Sequence, residues 1–149
     1  MDQTPTRERL PIRQMKTLPD PTRRTWSQKF RDAVRGVAIG VAGQSSFRIH
    51  LLFAVLVTGA AIALRVSLLE WCLLLLCITA VLVAEMFNSA LEWLAKAVSL
   101  EYDHQIGNAL DIGSAGVLLA ALGASVAGTL IFVYRLGTYL GWWPEVLMG

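Results

Sequence analysis

The chain has 149 residues, of which 55% are hydrophobic and 16% are charged. The charged share lies well below the roughly one quarter that is typical of soluble domains, which argues against an ordinary soluble protein. The net charge of +2 excludes little, because the basic residues are unevenly placed. Long apolar runs account for most of the hydrophobic residues, and they predict an integral membrane protein.

The first 24 residues contain four prolines among charged side chains, which predicts a flexible cytoplasmic tail. From Thr25 the pattern changes, and apolar residues recur at spacings of three and four with basic residues off that stripe. The stripe consists of Trp26, Phe30, Val34, Val37 and Val41. It predicts an amphipathic helix at the cytoplasmic membrane surface, with a cytosolic helix packed on its own protein as the alternative.

Three apolar runs follow, and they predict membrane-spanning helices over about 49–66, 69–95 and 111–134. The second run reaches the required length of about 20 residues only if Glu85 lies within the membrane. The third is rich in small residues, and its pairs Gly116–Ala120 and Ala124–Gly128 permit close helix approach. The spans complete an all-α membrane domain over residues 25–136, and an aromatic tail at the outer face follows over 137–149.

The distribution of basic residues predicts the orientation. Ten of the thirteen Lys and Arg residues precede His50, and Lys96 follows the second span, whereas Arg65 and Arg135 lie on the other side. The positive-inside rule therefore places the N-terminus in the cytoplasm and the C-terminus outside, in a multi-pass protein of the bacterial inner membrane. Orientation also accounts for the basic tail, so nothing supports a nucleic-acid partner.

Three polar residues in the second span form the candidate site. Glu85, Asn88 and Glu92 are spaced at i, i+3 and i+7, which places them within about 60° on one helix face. A carboxylate in the hydrocarbon region costs about 2.5–3.5 kcal/mol near the centre, so such residues indicate function by default. Glu92 is expected near the cytoplasmic interface, with Glu85 about two turns deeper.

Several roles are compatible with these side chains. Their oxygen atoms can bind a hard cation such as Mg²⁺, Glu85 can act as a general base, and a row of acids can relay protons. The alternative is a structural contact between helices, with Arg48 or Lys96 pairing with the acids. Asp111, at the start of the third span, lies on the same membrane side as Glu92, although a helix-capping role would also explain it.

At these residues the sequence resembles the prokaryotic diacylglycerol kinase and undecaprenol kinase family of small membrane lipid kinases. The similarity covers about residues 30–132. The most specific motif is the segment 85–92 (EMFNSALE), which is close to the family pattern E-x-x-N-[ST]-A-[IL]-E. The segments 46–50 (SFRIH) and 111–117 (DIGSAGV) match supporting motifs in the same order.

The resemblance implies a homotrimer with active sites between subunits, in which the γ-phosphoryl group of magnesium-bound ATP is transferred to a lipid hydroxyl. It implies that Glu85 is the catalytic base and Glu92 a metal ligand, with Asn88 and Asp111 in the nucleotide–metal site. We also expect Arg48 among the residues that bind nucleotide or substrate. Diacylglycerol and undecaprenol both remain open as the lipid.

Three positions depart from the family pattern. Gln44 replaces a glutamate that is a second metal ligand in the family, so any metal contact there is uncharged. Leu110 replaces the family's phosphate-contacting lysine, and Lys96 stands where the family has an aspartate. We predict that Lys96 supplies the missing cation. The departures also leave open a relative that binds lipid or nucleotide without phosphoryl transfer.

Overall fold

The computed structural model describes residues 24–43, 45–98, 101 and 103–142. This part of the chain forms four helices: α1 (Trp26–Gly43), α2 (Ser45–Ala63), α3 (Leu68–Val98) and α4 (His104–Tyr139). The helices α2, α3 and α4 are long and apolar enough to cross a membrane, so the predicted all-α architecture with one surface helix and three spans is confirmed. Most of both predicted tails lies outside the described residues.

The amphipathic helix α1 leaves its apolar stripe uncovered. Trp26 is 85% exposed and Phe30 73% exposed, so this part of the stripe is not packed on the rest of the described protomer. Only the C-terminal end of α1 approaches α3, where Gly40 is buried and an added Cβ atom would lie 2.7 Å from Met86 Sδ. An uncovered apolar stripe beside basic side chains is the pattern of a helix lying in a membrane interface.

The turn between α2 and α3 closes through a Schellman motif. The Val66 amide donates to the carbonyl of Ala61 at 3.2 Å, and the Arg65 amide donates to that of Ile62 at 3.2 Å. Val66 and Ala61 are buried together with Leu74 in a small hydrophobic core. The motif requires a left-handed residue, and here that residue is Arg65, at φ 51°.

Replacing Arg65 by glycine is expected to stabilise the protein by about 1 kcal/mol, because a left-handed conformation strains a residue that carries a Cβ atom. Unfolding of the purified protein by SDS, followed by circular dichroism, measures the difference. Arg65→Ala removes the same charge but keeps the strain. An equal gain in both variants would mean that the charge, and not the backbone, is responsible.

The helices α3 and α4 run antiparallel and are held together at one end by Glu70. Its carboxylate accepts a hydrogen bond from the Ser67 amide at 2.6 Å, which caps the start of α3. The same carboxylate receives a bidentate contact from Arg135 of α4, with Nε 2.9 Å from both oxygens. We call this the Glu70 end of the bundle. The opposite end is the Glu92 end.

The helix α4 begins earlier than the apolar pattern predicts. Asp103 is its N-cap, and the Asp103 carboxylate accepts hydrogen bonds from the amides of Gln105 at 2.8 Å and Ile106 at 3.1 Å. Asp111 therefore lies about two turns inside the helix, and the alternative that Asp111 is a helix cap is wrong. Residues 104–110 are too polar to be recognised as part of a span.

The small residues of α4 do not act as predicted within one protomer. An added Cβ atom at Gly116 or Gly128 would meet no described atom within 4 Å, so no helix of the same protomer approaches either glycine closely, although Gly128 is buried. The close approach occurs instead at Gly113, opposite Asn88 of α3. This contact positions the candidate site.

Candidate functional site

Glu85 is the most deeply buried charged residue of the described chain, with only 2% of its surface exposed. It lies on α3, and its Oε1 accepts a short hydrogen bond from the Ser46 hydroxyl of α2. The neighbouring Phe47 is also buried, at 4% exposure, and fixes the start of α2 against the bundle. A buried carboxylate with a neutral donor retains an oxygen that can accept a further proton or hydrogen bond.

Asn88 and Glu92 continue the polar face toward the Glu92 end. The Asn88 side-chain amide donates to Glu92 Oε1 at 3.3 Å, and Lys96 Nζ lies 3.8 Å from Glu92 Oε2. The predicted face therefore exists, with its residues linked along α3. Glu92 is half-buried, so its carboxylate lies nearer to solvent than that of Glu85.

Gly113 brings the backbone of α4 against this face. An added Cβ atom there would lie 2.7 Å from Asn88 Oδ1 and 3.0 Å from Leu91 Cδ1, closer than side chains ordinarily pack. The buried Oδ1 atom of Asn88 finds no hydrogen-bond partner among the described residues. A buried acceptor without a partner costs about 1–3 kcal/mol, which indicates that a ligand or solvent completes it.

Ser89 belongs to the same face, although the sequence reasoning did not select it. It is four residues from Glu85, about 40° around the helix on the side opposite Asn88. Its side chain is 3% exposed, and its hydroxyl has no partner within the described part of the chain. The helical spacing alone could have identified it, because residues at i and i+4 share a face.

The other predicted site residues are less closely associated. Arg48 and Asp111 are both exposed, and the alternative in which Arg48 pairs with the acids is not formed among the described residues. Lys96 does pair with Glu92, but within α3. Gln44 lies outside the described residues, although Gly43 before it packs on α3, where an added Cβ atom would lie 3.6 Å from the Trp93 ring.

Leu110 occupies an apolar position. It is half-buried and lines a small cavity of about 150 Å³ between α3 and α4, together with Leu91, Ala95 and Ile106. A lysine ammonium in this position would have to extend away from the cavity. The substitution at residue 110 therefore adds packing to the Glu92 end of the bundle where the family pattern has a charge.

The side chains at the Glu92 end suit a hard cation only in part. The Glu92 carboxylate is an oxygen donor of the kind that Mg²⁺ prefers, and Asn88 Oδ1, which is buried against Gly113, would become a second one after rotation of the side-chain amide. Mg²⁺ characteristically needs few protein ligands when phosphates and water supply the rest. No group of three His, Cys, Asp or Glu residues lies together in the described residues. The donors fit magnesium bound with a phosphate ligand, but not a closed protein cage.

An apolar groove lies toward the middle of the bundle, about one turn of α3 from Glu85. It has a volume of about 220 Å³ and lies between α2, α3 and α4. Val81 and Leu82 line it about one turn from Glu85 on α3, and His50 is one of its few polar residues. Glu85 thus lies between an apolar groove on one side and the polar pair Asn88–Glu92 on the other.

Comparison with known proteins gives two matches. The model of the family described as prokaryotic diacylglycerol kinase matches residues 31–132. A diacylglycerol kinase of Synechocystis sp. is 34% identical over 100 residues, which cover 66% of this chain and 57% of the relative. The match therefore spans little more than half the length of that relative. No solved structure matches the chain.

Proposed function

Because the chain belongs to the prokaryotic diacylglycerol kinase family, we propose that it phosphorylates a membrane lipid hydroxyl with ATP and magnesium at the cytoplasmic face of the bacterial inner membrane. Three apolar helices make it a multi-pass membrane protein. The lipid is diacylglycerol or undecaprenol. One observation carries the proposal: a buried carboxylate, Glu85, lies between an apolar groove and a row of oxygen ligands.

In this proposal each part of the site has a separate task. The groove beside Val81 and Leu82 has the chemistry that a lipid chain requires, and these two residues lie about one turn from Glu85 on α3. The free oxygen of Glu85 accepts the proton of the lipid hydroxyl as that hydroxyl attacks the γ-phosphorus. Glu92 and Asn88 would hold magnesium, which supplies charge neutralisation on the phosphates.

Assembly into a homotrimer forms part of the proposal. Among the described residues, one protomer brings together Glu92 and Asn88 as candidate ligands at the Glu92 end, while Asp111 is exposed on α4. Phosphoryl transfer depends mainly on positioning and on stabilising charge, so further groups from a neighbouring subunit would complete the site. Arg48 and Asp111 are the exposed residues available for this role.

A second candidate is a relative that binds lipid or nucleotide without transferring phosphate. The observation in its favour is Leu110, which packs in an apolar cavity where the family pattern has a lysine. A proton pathway is less well supported. The acid at the opposite end, Glu70, is engaged by Arg135 and the Ser67 amide, and no second acid is aligned with it in the part of the chain that the structure describes.

The decisive experiment uses purified protein in micelles with labelled ATP and magnesium, and with diacylglycerol or undecaprenol in parallel. Phosphate on one lipid would support the kinase and identify its substrate, and omission of magnesium should stop the transfer. Phosphate on neither lipid, from protein of verified helical content and assembly, would instead support the non-catalytic relative.

Lys96→Ala is expected to lower ATP affinity at least about tenfold, because it removes the cation that we assign to the phosphates beside Glu92. Isothermal titration with magnesium and a non-hydrolysable ATP analogue measures this effect. Lys29→Ala is a matched control. Lys29 and Lys96 each lie over a tryptophan ring, at 4.8 Å and 5.9 Å from its centroid, but Lys29 belongs to α1. Unchanged affinity in Lys96→Ala would refute the assignment.

A further inference from the structure

We propose that Ser46 is a positioning residue for Glu85, and that its hydroxyl holds one carboxylate oxygen so that the other is presented to the substrate hydroxyl. The inference rests on the proposed function for its chemistry, but its geometry comes from the contact between α2 and α3. Ser46 Oγ donates to Glu85 Oε1 across 39 residues of sequence. The packing of α2 on α3 therefore brings the Ser46 hydroxyl to the Glu85 carboxylate.

The hydroxyl is itself held in place from both sides. Before it, Gly40 packs on Met86, the residue next to Glu85, and Gly43 packs on Trp93, the residue next to Glu92. After it, Phe47 is 4% exposed and anchors the first turn of α2. Since the chain on either side of Ser46 is packed on the bundle, the position of the Ser46 backbone relative to α3 is fixed, and its hydroxyl stays within reach of Glu85.

The chemical consequence follows from the two oxygens of a carboxylate. A glutamate has three side-chain torsions, and without a partner its carboxylate can adopt several orientations, not all of which suit proton transfer from the substrate hydroxyl. A hydrogen bond to Oε1 leaves Oε2 as the acceptor and fixes its direction. A displacement of about 1 Å at a reacting group can cost about 100-fold in rate, so this restraint acts on turnover.

The contact with Glu85 also distinguishes Ser46 from the preceding residue, Ser45. Ser45 is the first residue of α2 and is exposed, whereas Ser46 is half-buried against Glu85. The pair provides a matched control, because Ser45→Ala and Ser46→Ala remove the same hydroxyl group one residue apart. Ser46→Thr keeps the hydroxyl and adds one methyl group, so it serves as the rescue variant.

Two measurements test the proposal. In the lipid phosphorylation assay, Ser46→Ala should lower kcat about 10- to 100-fold with the KM for magnesium-bound ATP within about twofold, and Ser46→Thr should recover most of the loss. Ser45→Ala should match the unsubstituted protein. A kcat within twofold of that protein in Ser46→Ala, or a Ser46→Thr variant as slow as Ser46→Ala, would overturn the assignment.

The second measurement does not need activity. Carbodiimide labelling of carboxylates, followed by mass spectrometry, reports the reactivity of Glu85 with Glu92 as the internal reference. Ser46→Ala should raise the labelling rate of Glu85 and leave that of Glu92 unchanged, while Ser46→Thr should leave both unchanged. An unaltered Glu85 rate in Ser46→Ala would refute the positioning role, whereas absent lipid phosphorylation with altered labelling would refute the proposed function alone.

Discussion

Replacement of Glu85 by glutamine is expected to reduce lipid phosphorylation by about 10²- to 10⁴-fold, the range that a general base contributes. Glutamine has nearly the same shape and still accepts the hydrogen bond from Ser46, so the buried contact with α2 can persist. It cannot take a proton from the lipid hydroxyl. Turnover with labelled ATP and saturating lipid measures the loss.

The same variant should bind ATP and assemble as the unsubstituted protein does, because Glu85 lies about two turns from Glu92 along α3. Size-exclusion chromatography with light scattering and titration with an ATP analogue check these properties. Full activity in Glu85→Gln would show that the base lies elsewhere. If Glu85→Gln does not fold, Glu85→Asp is the second variant. It keeps a carboxylate but carries it on a side chain that is one methylene group shorter.

The second large effect, on both stability and turnover, is expected from a methyl group introduced at Gly113. Gly113→Ala is expected to destabilise the protein by about 1–3 kcal/mol, because its Cβ atom would overlap a buried neighbour in a well-packed contact. That neighbour is Asn88 Oδ1, at 2.7 Å. Since Asn88 must move, turnover should fall at least about tenfold as well, by the sensitivity of such sites to displacement.

Gly116→Ala is the matched control for this prediction. It lies three residues further along α4, and an added Cβ atom there would meet nothing within 4 Å. Unfolding in SDS and turnover should both stay close to those of the unsubstituted protein in Gly116→Ala. If the two alanine variants behave alike, the contact between Gly113 and Asn88 does not control the site.

The spans could be predicted because hydrophobicity is a property of each segment by itself. The run that became α3 is apolar enough to be recognised even with Glu85 inside it, and the stripe from Trp26 revealed α1 by its spacing. The start of α4 could not be predicted in this way. Residues 104–110 mix three polar residues with apolar ones, so they do not continue the apolar run, and the helix begins there because Asp103 supplies a cap.

The candidate site was only partly accessible from the sequence. Glu85, Asn88 and Glu92 lie on one helix, so their common face follows from helical spacing. The contacts from Ser46 and Gly113 come from other helices, and their alignment depends on how those helices pack. A periodic pattern carries no information on the register between helices, so neither contact could be anticipated.

The pairing of Glu70 with Arg135 has a mechanical consequence for the distant site. Glu70 and Glu92 are 22 positions apart on α3, which corresponds to about 33 Å along the axis. Over that length, a tilt of about 3° between α3 and α4 about the Glu70 end displaces the Glu92 end by about 1.7 Å. The ion pair between Glu70 and Arg135 thus restrains the angle between α3 and α4. The alignment of ligands near Glu92 depends on this restraint at the Glu70 end.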